Sequence, residues 1–216
     1  MEDILAHKEL IELIRTADKY LGVIGYTEHG ERHANIVSER AKEVLEQLGQ
    51  DERTVELARI AGYLHDIGNA VAREHHAQNG ALLLYPILKD MGMQLNEIIG
   101  IVSAIGNHHE ADGDPISAIS AAVILADKSD VHFNRVRKSG DVEHDIHDRV
   151  NFAAKKSSLT VRRKHGIIEL SVLIDHEIAS VMEYFEIFMD RMIISRRAAN
   201  FLGLHFELVI NGVRLS

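Results

Sequence analysis

The chain has no cysteine, no tryptophan and only two prolines. Without cysteine it forms neither disulfides nor thiolate metal sites, although this does not fix the compartment. Its longest apolar stretches, such as Gly80 to Leu88, are far shorter than the roughly 20 residues needed to cross a bilayer. No serine or threonine sits in a GxSxG context, and neither GxxxxGK[ST] nor GxGxxG occurs. Nothing therefore argues for a nucleophile elbow, a P-loop or a dinucleotide fingerprint. Net positive charge is also missing: the formal charge is −9, so no chain-wide field draws the protein to nucleic acid or anionic lipid. The N-terminus, MEDILAHKEL, lacks the basic-then-apolar profile of a signal peptide. A soluble cytoplasmic protein is expected, with no membrane or nucleic-acid partner.

What the chain does have is 216 residues at 46% apolar content, material for a real core in one domain with a small appendage. It also has fourteen histidines, and they cluster. Histidine is the commonest metal ligand and titrates nearest neutrality.

Apolar periodicity predicts helices over about 4–20, 31–48, 52–67, 75–91 and 94–107. Asp114-Pro115 reads as the start of another, running to about 136, because an N-cap followed by Pro at the first turn is a strong signal. A polar loop around Ser139-Gly140 leads to a shorter helical piece near 143–155. The character then changes. SLTVRRK, a His165-Gly166 turn and IIELSVLI read as a β-hairpin, followed by a long helix over about 176–200. HFELVI-NG-VRLS reads as a second hairpin, since Asn-Gly suits a type I′ turn. The expected fold is mainly α, with a helical domain over 1–156 and a small α+β unit over 157–216.

The polar residues that intrude into these apolar runs are His29 and His33, then His65-Asp66, His75-His76, His108-His109-Glu110, and Asp127 with Asp130. Each lies near a helix end or the edge of an apolar run, so several helices can deliver imidazoles and carboxylates to one cleft. Nitrogen and oxygen donors without sulfur suit Fe, Mn, Zn, Ni or Co. Adjacent helical residues diverge by about 100°, so His65 can bind one metal while Asp66 bridges to a second.

The order of these motifs resembles the HD-domain metal-dependent phosphohydrolases. His33, the pair His65-Asp66 and Asp127 match the H…HD…D signature. LHDIGN resembles the family's LHDIGK, and ILADKSD resembles its terminal aspartate on a late helix. His76 with Gly80 gives H-x-x-x-G, and His108-His109-Glu110 followed by Asp112-Gly113 resembles the HHE-x-x-DG of the binuclear HD-GYP phosphodiesterases. The resemblance covers roughly residues 29–130. It implies an HD helical bundle in which His33, His65, Asp66 and Asp127 bind one metal. His76, His108 and His109 would hold a second, with Asp66 bridging, and His65 and Asp66 would take the catalytic role. His29 occupies the place of a glutamate that can also bind metal, which makes it an extra candidate ligand.

Two departures are plain. Asn69 replaces the Lys of HDIGK that helps to bind substrate phosphate, leaving Lys128 or Arg73 as candidate substitutes. The Gly-Tyr of the GYP motif is missing, which weakens a cyclic-dinucleotide assignment and leaves phosphohydrolysis standing. The resemblance thus implies a divalent-metal-dependent phosphohydrolase or phosphodiesterase, with a metal-activated water acting on a nucleotide-like or other small phosphorylated substrate. A non-catalytic metal-containing nucleotide sensor and a di-iron oxygenase remain as alternatives.

Elsewhere, EHDIHD at 143–148 reads as a solvated helix end, with Arg149 or His147 touching substrate if this piece folds over the cleft. Arg162-Arg163-Lys164 reads as solvent-facing or as guarding a sheet edge. The apolar face of MEYFEIFMDRMII suits core or a dimer contact, which leaves a homodimer through the C-terminal unit open.

Overall fold

In the computed structural model, which describes residues 1–138 and 141–215, the helical part begins with α1 (Glu2–Ala6) and α2 (Lys8–Val23). The single helix expected over 4–20 is broken at His7, whose backbone turns extended (φ −76°, ψ 109°). The strip of helices that follows is α3 (Glu31–Leu48), α4 (Glu52–Leu64), α5 (His76–Asp90), α6 (Leu95–Gly106) and α7 (Ala118–Ser129).

α7 is the axis of the molecule. Every residue from Ile119 to Ser129 is buried, which makes α7 a core helix, apolar from Ala121 to Ala126 and polar at its end. It packs against α3, α4 and α6. Its start differs from expectation. Ser117 caps it by accepting from the Ser120 amide, and the Asp114-Pro115 segment lies in the preceding loop. The expected run to 136 also stops early. Asp130 leaves helical geometry (ψ 77°), and a short 3₁₀ turn follows at Phe133–Arg135. The loop expected around Ser139-Gly140 lies outside the described residues.

Two glycines set how closely the elements that carry histidines can approach. A Cβ on Gly62 would meet the Val37 carbonyl and the Ser38 backbone, so α4 lies directly against α3. A Cβ on Gly68 would collide with the His76 carbonyl and the Gly80 amide. This position lies in the 3₁₀ turn Ile67–Ala70, which thereby seats on the first turn of α5.

The C-terminal part opens with α8 (Ile146–Ala153), capped by Asp145, which accepts from the amides of His147 and Asp148. The strands β1 (Ala154–Arg162) and β2 (Ile167–Ile174) form the expected antiparallel hairpin. The long helix α9 (Val181–Phe201) starts about five residues later than the periodicity suggests, at a Ser180–Glu183 capping box. β3 (His205–Ile210) then runs parallel to β2, and β4 (Val213–Arg214) closes a second hairpin. Both central turn residues there, Asn211 (φ 51°) and Gly212 (φ 80°), have the positive φ of a type I′ turn. The two hairpins thus merge into one four-stranded sheet ordered β1-β2-β3-β4. Its inward side chains, including Ile168, Leu170, Val172, Phe206 and Leu208, belong to the same buried cluster as Leu45, Leu64 and Leu125. α9 packs on α7, so the C-terminal part roofs the axis helix.

Candidate metal centre

The ends of α3, α4, α5, α6 and α7 bring six of the expected residues together: His33, His65, Asp66, His76, His108 and Asp127. Imidazole orientation is set locally. Nδ1 of His65 lies 2.9 Å from the Gly62 carbonyl, Nδ1 of His76 3.1 Å from that of Arg73, and Nδ1 of His108 2.6 Å from that of Ile105. Each ring therefore donates from Nδ1 to a backbone oxygen and turns Nε2 to the interior, the orientation that metal-binding histidines use. His33 reaches the same state through a side chain, with Nδ1 2.7 Å from Asp130 Oδ2.

The inward atoms converge. His33 Nε2 lies 3.2 Å from His65 Nε2 and 3.4 Å from Asp127 Oδ1. Asp66 presents its two oxygens in two directions. Oδ2 sits 3.2 Å from His65 Nε2 and 3.7 Å from His33 Nε2. Oδ1 sits 3.5 Å from His76 Nε2 and 3.8 Å from His108 Nε2. Two donor sets, His33–His65–Asp127 and His65–Asp66–His108, each fit within 4.8 Å and could hold a metal ion.

The remaining expected residues lie around this core. The His109 ring is 4.8 Å from that of His76, and its Nδ1 is 3.4 Å from Asp112. His29 is buried, its ring 5.4 Å from that of His33, with Nδ1 2.7 Å from the Thr27 carbonyl. His75, the neighbour of His76, adopts a left-handed backbone (φ 55°) that leaves its side chain 68% exposed. Lys128 is buried, its ammonium 2.6 Å from Asp127 Oδ2 and 2.5 Å from Glu110 Oε2. Arg149 pairs with Glu183 at 2.8 Å and donates to the Glu143 carbonyl. Asn69, in the place of the family lysine, donates to the backbone carbonyl and to Oδ1 of Asp66.

Electrostatics ready the cluster for cations. Burial would raise the Asp66 carboxyl, but the surrounding imidazoles outweigh it and hold Asp66 well below the usual carboxylate range. Asp127 is likewise held down against burial, chiefly by Lys128 and by His33 and His65. Burial and the neighbouring His108 push His76 down to about 2, so its nitrogen is free to ligate. His65 goes the other way: burial lowers it, but Asp66 and Asp127 overcome this and push it up to about 10. A cation ligated at His65 therefore replaces a proton.

Three participants carry weaker sequence signals. Asp130 orients His33 and is itself held by Arg32 at 2.9 Å. Only its position three residues after Asp127 hinted at a role. Glu110, visible in the HHE motif, links Lys128 to Arg191 (3.6 Å). Arg191 lies on α9, far from any motif, and had no signal at all.

Beside the cluster lies a cleft of about 320 Å³ whose lining includes His29, Arg73, Glu110, Asn151 and Arg191. His147 lines it and Arg149 is not among its lining residues, so the 143–155 piece does border the cleft.

A family model described as the HD domain matches residues 30–131. This stretch is an HD domain. HD domains bind divalent metal ions, and the His/Asp sets above lie within the matched stretch. The chain is 34% identical over 119 residues to ribonuclease Y of Lawsonia intracellularis, covering 54% of this chain and 21% of that protein. It is 31% identical over 121 residues to ribonuclease Y of Oceanobacillus iheyensis, covering 56% and 21%. The chain thus spans about a fifth of the length of these relatives. A crystal structure of a predicted HD superfamily hydrolase from an uncultured Thermotogales bacterium is similar at a TM-score of 0.46 and 26% identity, covering 58% of this chain and 68% of that one. Among the described residues, no helix is long and apolar enough to cross a membrane.

Proposed function

We propose that the protein is a metal-dependent phosphohydrolase acting on a small phosphate ester at a two-metal site. The observation that carries this reading is the Asp66 carboxylate, whose two oxygens face two different sets of imidazoles. In this reading His33, His65 and Asp127 hold one divalent ion, His76, His108 and His109 hold the other, and Asp66 spans both. When bound, such ions supply Lewis-acid charge to the phosphoryl oxygens and ease deprotonation of an attacking water. The chain's own contribution is to fix the donors. Backbone carbonyls and Asp130 lock the rings, and Asn69 steadies Asp66 through its Oδ1. Lys128 balances the negative charge of Asp127 and Glu110 and is too enclosed to grip substrate. The choice of hydrolysis draws on the HD-domain match over residues 30–131 and on the name ribonuclease Y of the similar proteins.

The test is metal analysis of the purified chain, followed by assays against phosphomonoesters, nucleotides, phosphodiesters and short RNA. RNA is included because the similar proteins are ribonucleases by name. The expected result is two ions per chain and metal-dependent release of phosphate or nucleotide. A protein confirmed to hold two ions that turns over none of these substrates contradicts the reading.

A further inference from the structure

The arginines of the molecule fall into two kinds. Most are tied down by short bonds: Arg137 makes four hydrogen bonds to Asp18, Tyr26 and Thr27 at 3.2 Å or less, and Arg53 grips Glu97 at 2.6 and 2.7 Å. The two that line the cleft are loosely held. Arg73 reaches Asn69 Oδ1 and His76 Nε2 only at 3.4 Å each and lies over the Tyr26 ring at 4.9 Å. The Arg191 guanidinium lies 4.5 Å over the Phe188 ring, and its one ion pair, to Glu110, is 3.6 Å long. Among the described residues no short hydrogen bond occupies the planar fork of either one, and such a fork matches phosphate oxygens two at a time.

A third residue of the cleft is also incomplete. Asn151 on α8 is buried, and its amide nitrogen donates to the His147 carbonyl at 2.8 Å. That bond fixes the amide's orientation, so the atom left over is the acceptor Oδ1, which has no partner. A buried acceptor without a donor is costly unless something else supplies one. The wall beside it is apolar, formed by Ile187 and Phe188. The cavity of about 320 Å³ is at the small end of ligand pockets, which run from about 300 to 1,000 Å³.

We infer that helices α8 and α9, together with Arg73 in the segment before α5, form the substrate-selecting wall of the site. Arg73 and Arg191 clasp the phosphoryl group of a monophosphate ester, while Asn151 accepts a hydrogen bond from the organic part, of nucleoside size, lying against Ile187 and Phe188. This assignment rests on the phosphohydrolase reading and extends it to Asn151 and Arg191, which lie outside the HD domain.

The test is calorimetric titration of the manganese-loaded full chain with three probes: inorganic phosphate, glycerol 3-phosphate, and adenosine 5′-phosphorothioate as a slowly hydrolysed nucleotide. The thionucleotide binds about tenfold more tightly than glycerol 3-phosphate, and Asn151→Leu removes that advantage while phosphate binding stays. Arg191→Gln weakens all three probes by about tenfold, and Arg191→Lys, which keeps the charge without the fork, restores only part of the loss. Melting curves are compared first. Should Asn151→Leu fail to fold, the wild-type preference and the two Arg191 variants decide. Equal binding of the thionucleotide and glycerol 3-phosphate, unchanged phosphate binding in Arg191→Gln, or tighter binding of short RNA than of the thionucleotide overturns the assignment. A wild-type chain that hydrolyses phosphate esters yet gives any of these results leaves the hydrolase reading standing. Selective binding without turnover of any ester removes the hydrolase reading instead.

Discussion

The donor cluster and the cleft wall beside it are built in opposite ways. In the cluster, His33, His65, His76 and His108 each have Nδ1 fixed by a carbonyl or carboxylate. In the wall, Arg73 and Arg191 have only long contacts and Asn151 keeps a bare acceptor. Donors that must meet a cation at fixed distances are over-determined by their surroundings, whereas groups that must meet a ligand keep unspent hydrogen-bonding capacity. The difference separates chemistry, held at the ends of α3 to α7, from selection, supplied by α8, α9 and the segment before α5 that carries Arg73.

Four substitutions probe that contrast, in order of falling effect. Asp66→Asn keeps the shape but removes the charge shared by both donor sets. Turnover should fall by more than about a hundredfold, since losing even a ligand's hydrogen-bond partner costs about 10–100-fold. Steady-state kinetics with metal in excess measure it. Asp130→Asn leaves every proposed ligand in place but loosens His33 and breaks the buried pair with Arg32. Metal affinity should drop within that 10–100-fold range, and the melting temperature of the metal-free protein should fall as well. Gly68→Ala drives a Cβ into the His76 carbonyl, and forcing the 3₁₀ turn off α5 should cost about 1–3 kcal/mol in denaturant unfolding. Ser180→Ala removes the capping box of α9 for about 1 kcal/mol, with kcat unchanged, because the cap lies away from cluster and cleft. A large kinetic effect of Ser180→Ala, or none of Asp66→Asn, would break the division between the two regions.

Much of this was legible in the sequence because it depends on local rules. Asp51 directly precedes α4 and caps it by accepting from the Thr54 amide, a local rule of helix starts. The Asn211-Gly212 turn and both hairpins follow from turn chemistry and alternation. The gathering of His33, His65, Asp66, His76, His108 and Asp127 was legible from motif order. What was hidden depends on tertiary partners. Asp114-Pro115 is a good helix start by propensity, yet Ser117 wins because its hydroxyl reaches the Ser120 amide. Lys128 stood as a candidate phosphate-binding residue, but folding places Glu110 and Asp127 against its ammonium. Arg191 belongs to a helix with no motif, and only the packing of α9 on α7 brings it to the cleft.

The central claim is that one carboxylate serves two ions, and it is tested most directly by anomalous diffraction from crystals grown with manganese. The account predicts two peaks roughly 3.5 to 4 Å apart, one on each side of Asp66 and each within bonding distance of one of its oxygens. A single peak ligated without Asp66, or two ions with no shared ligand, would contradict it.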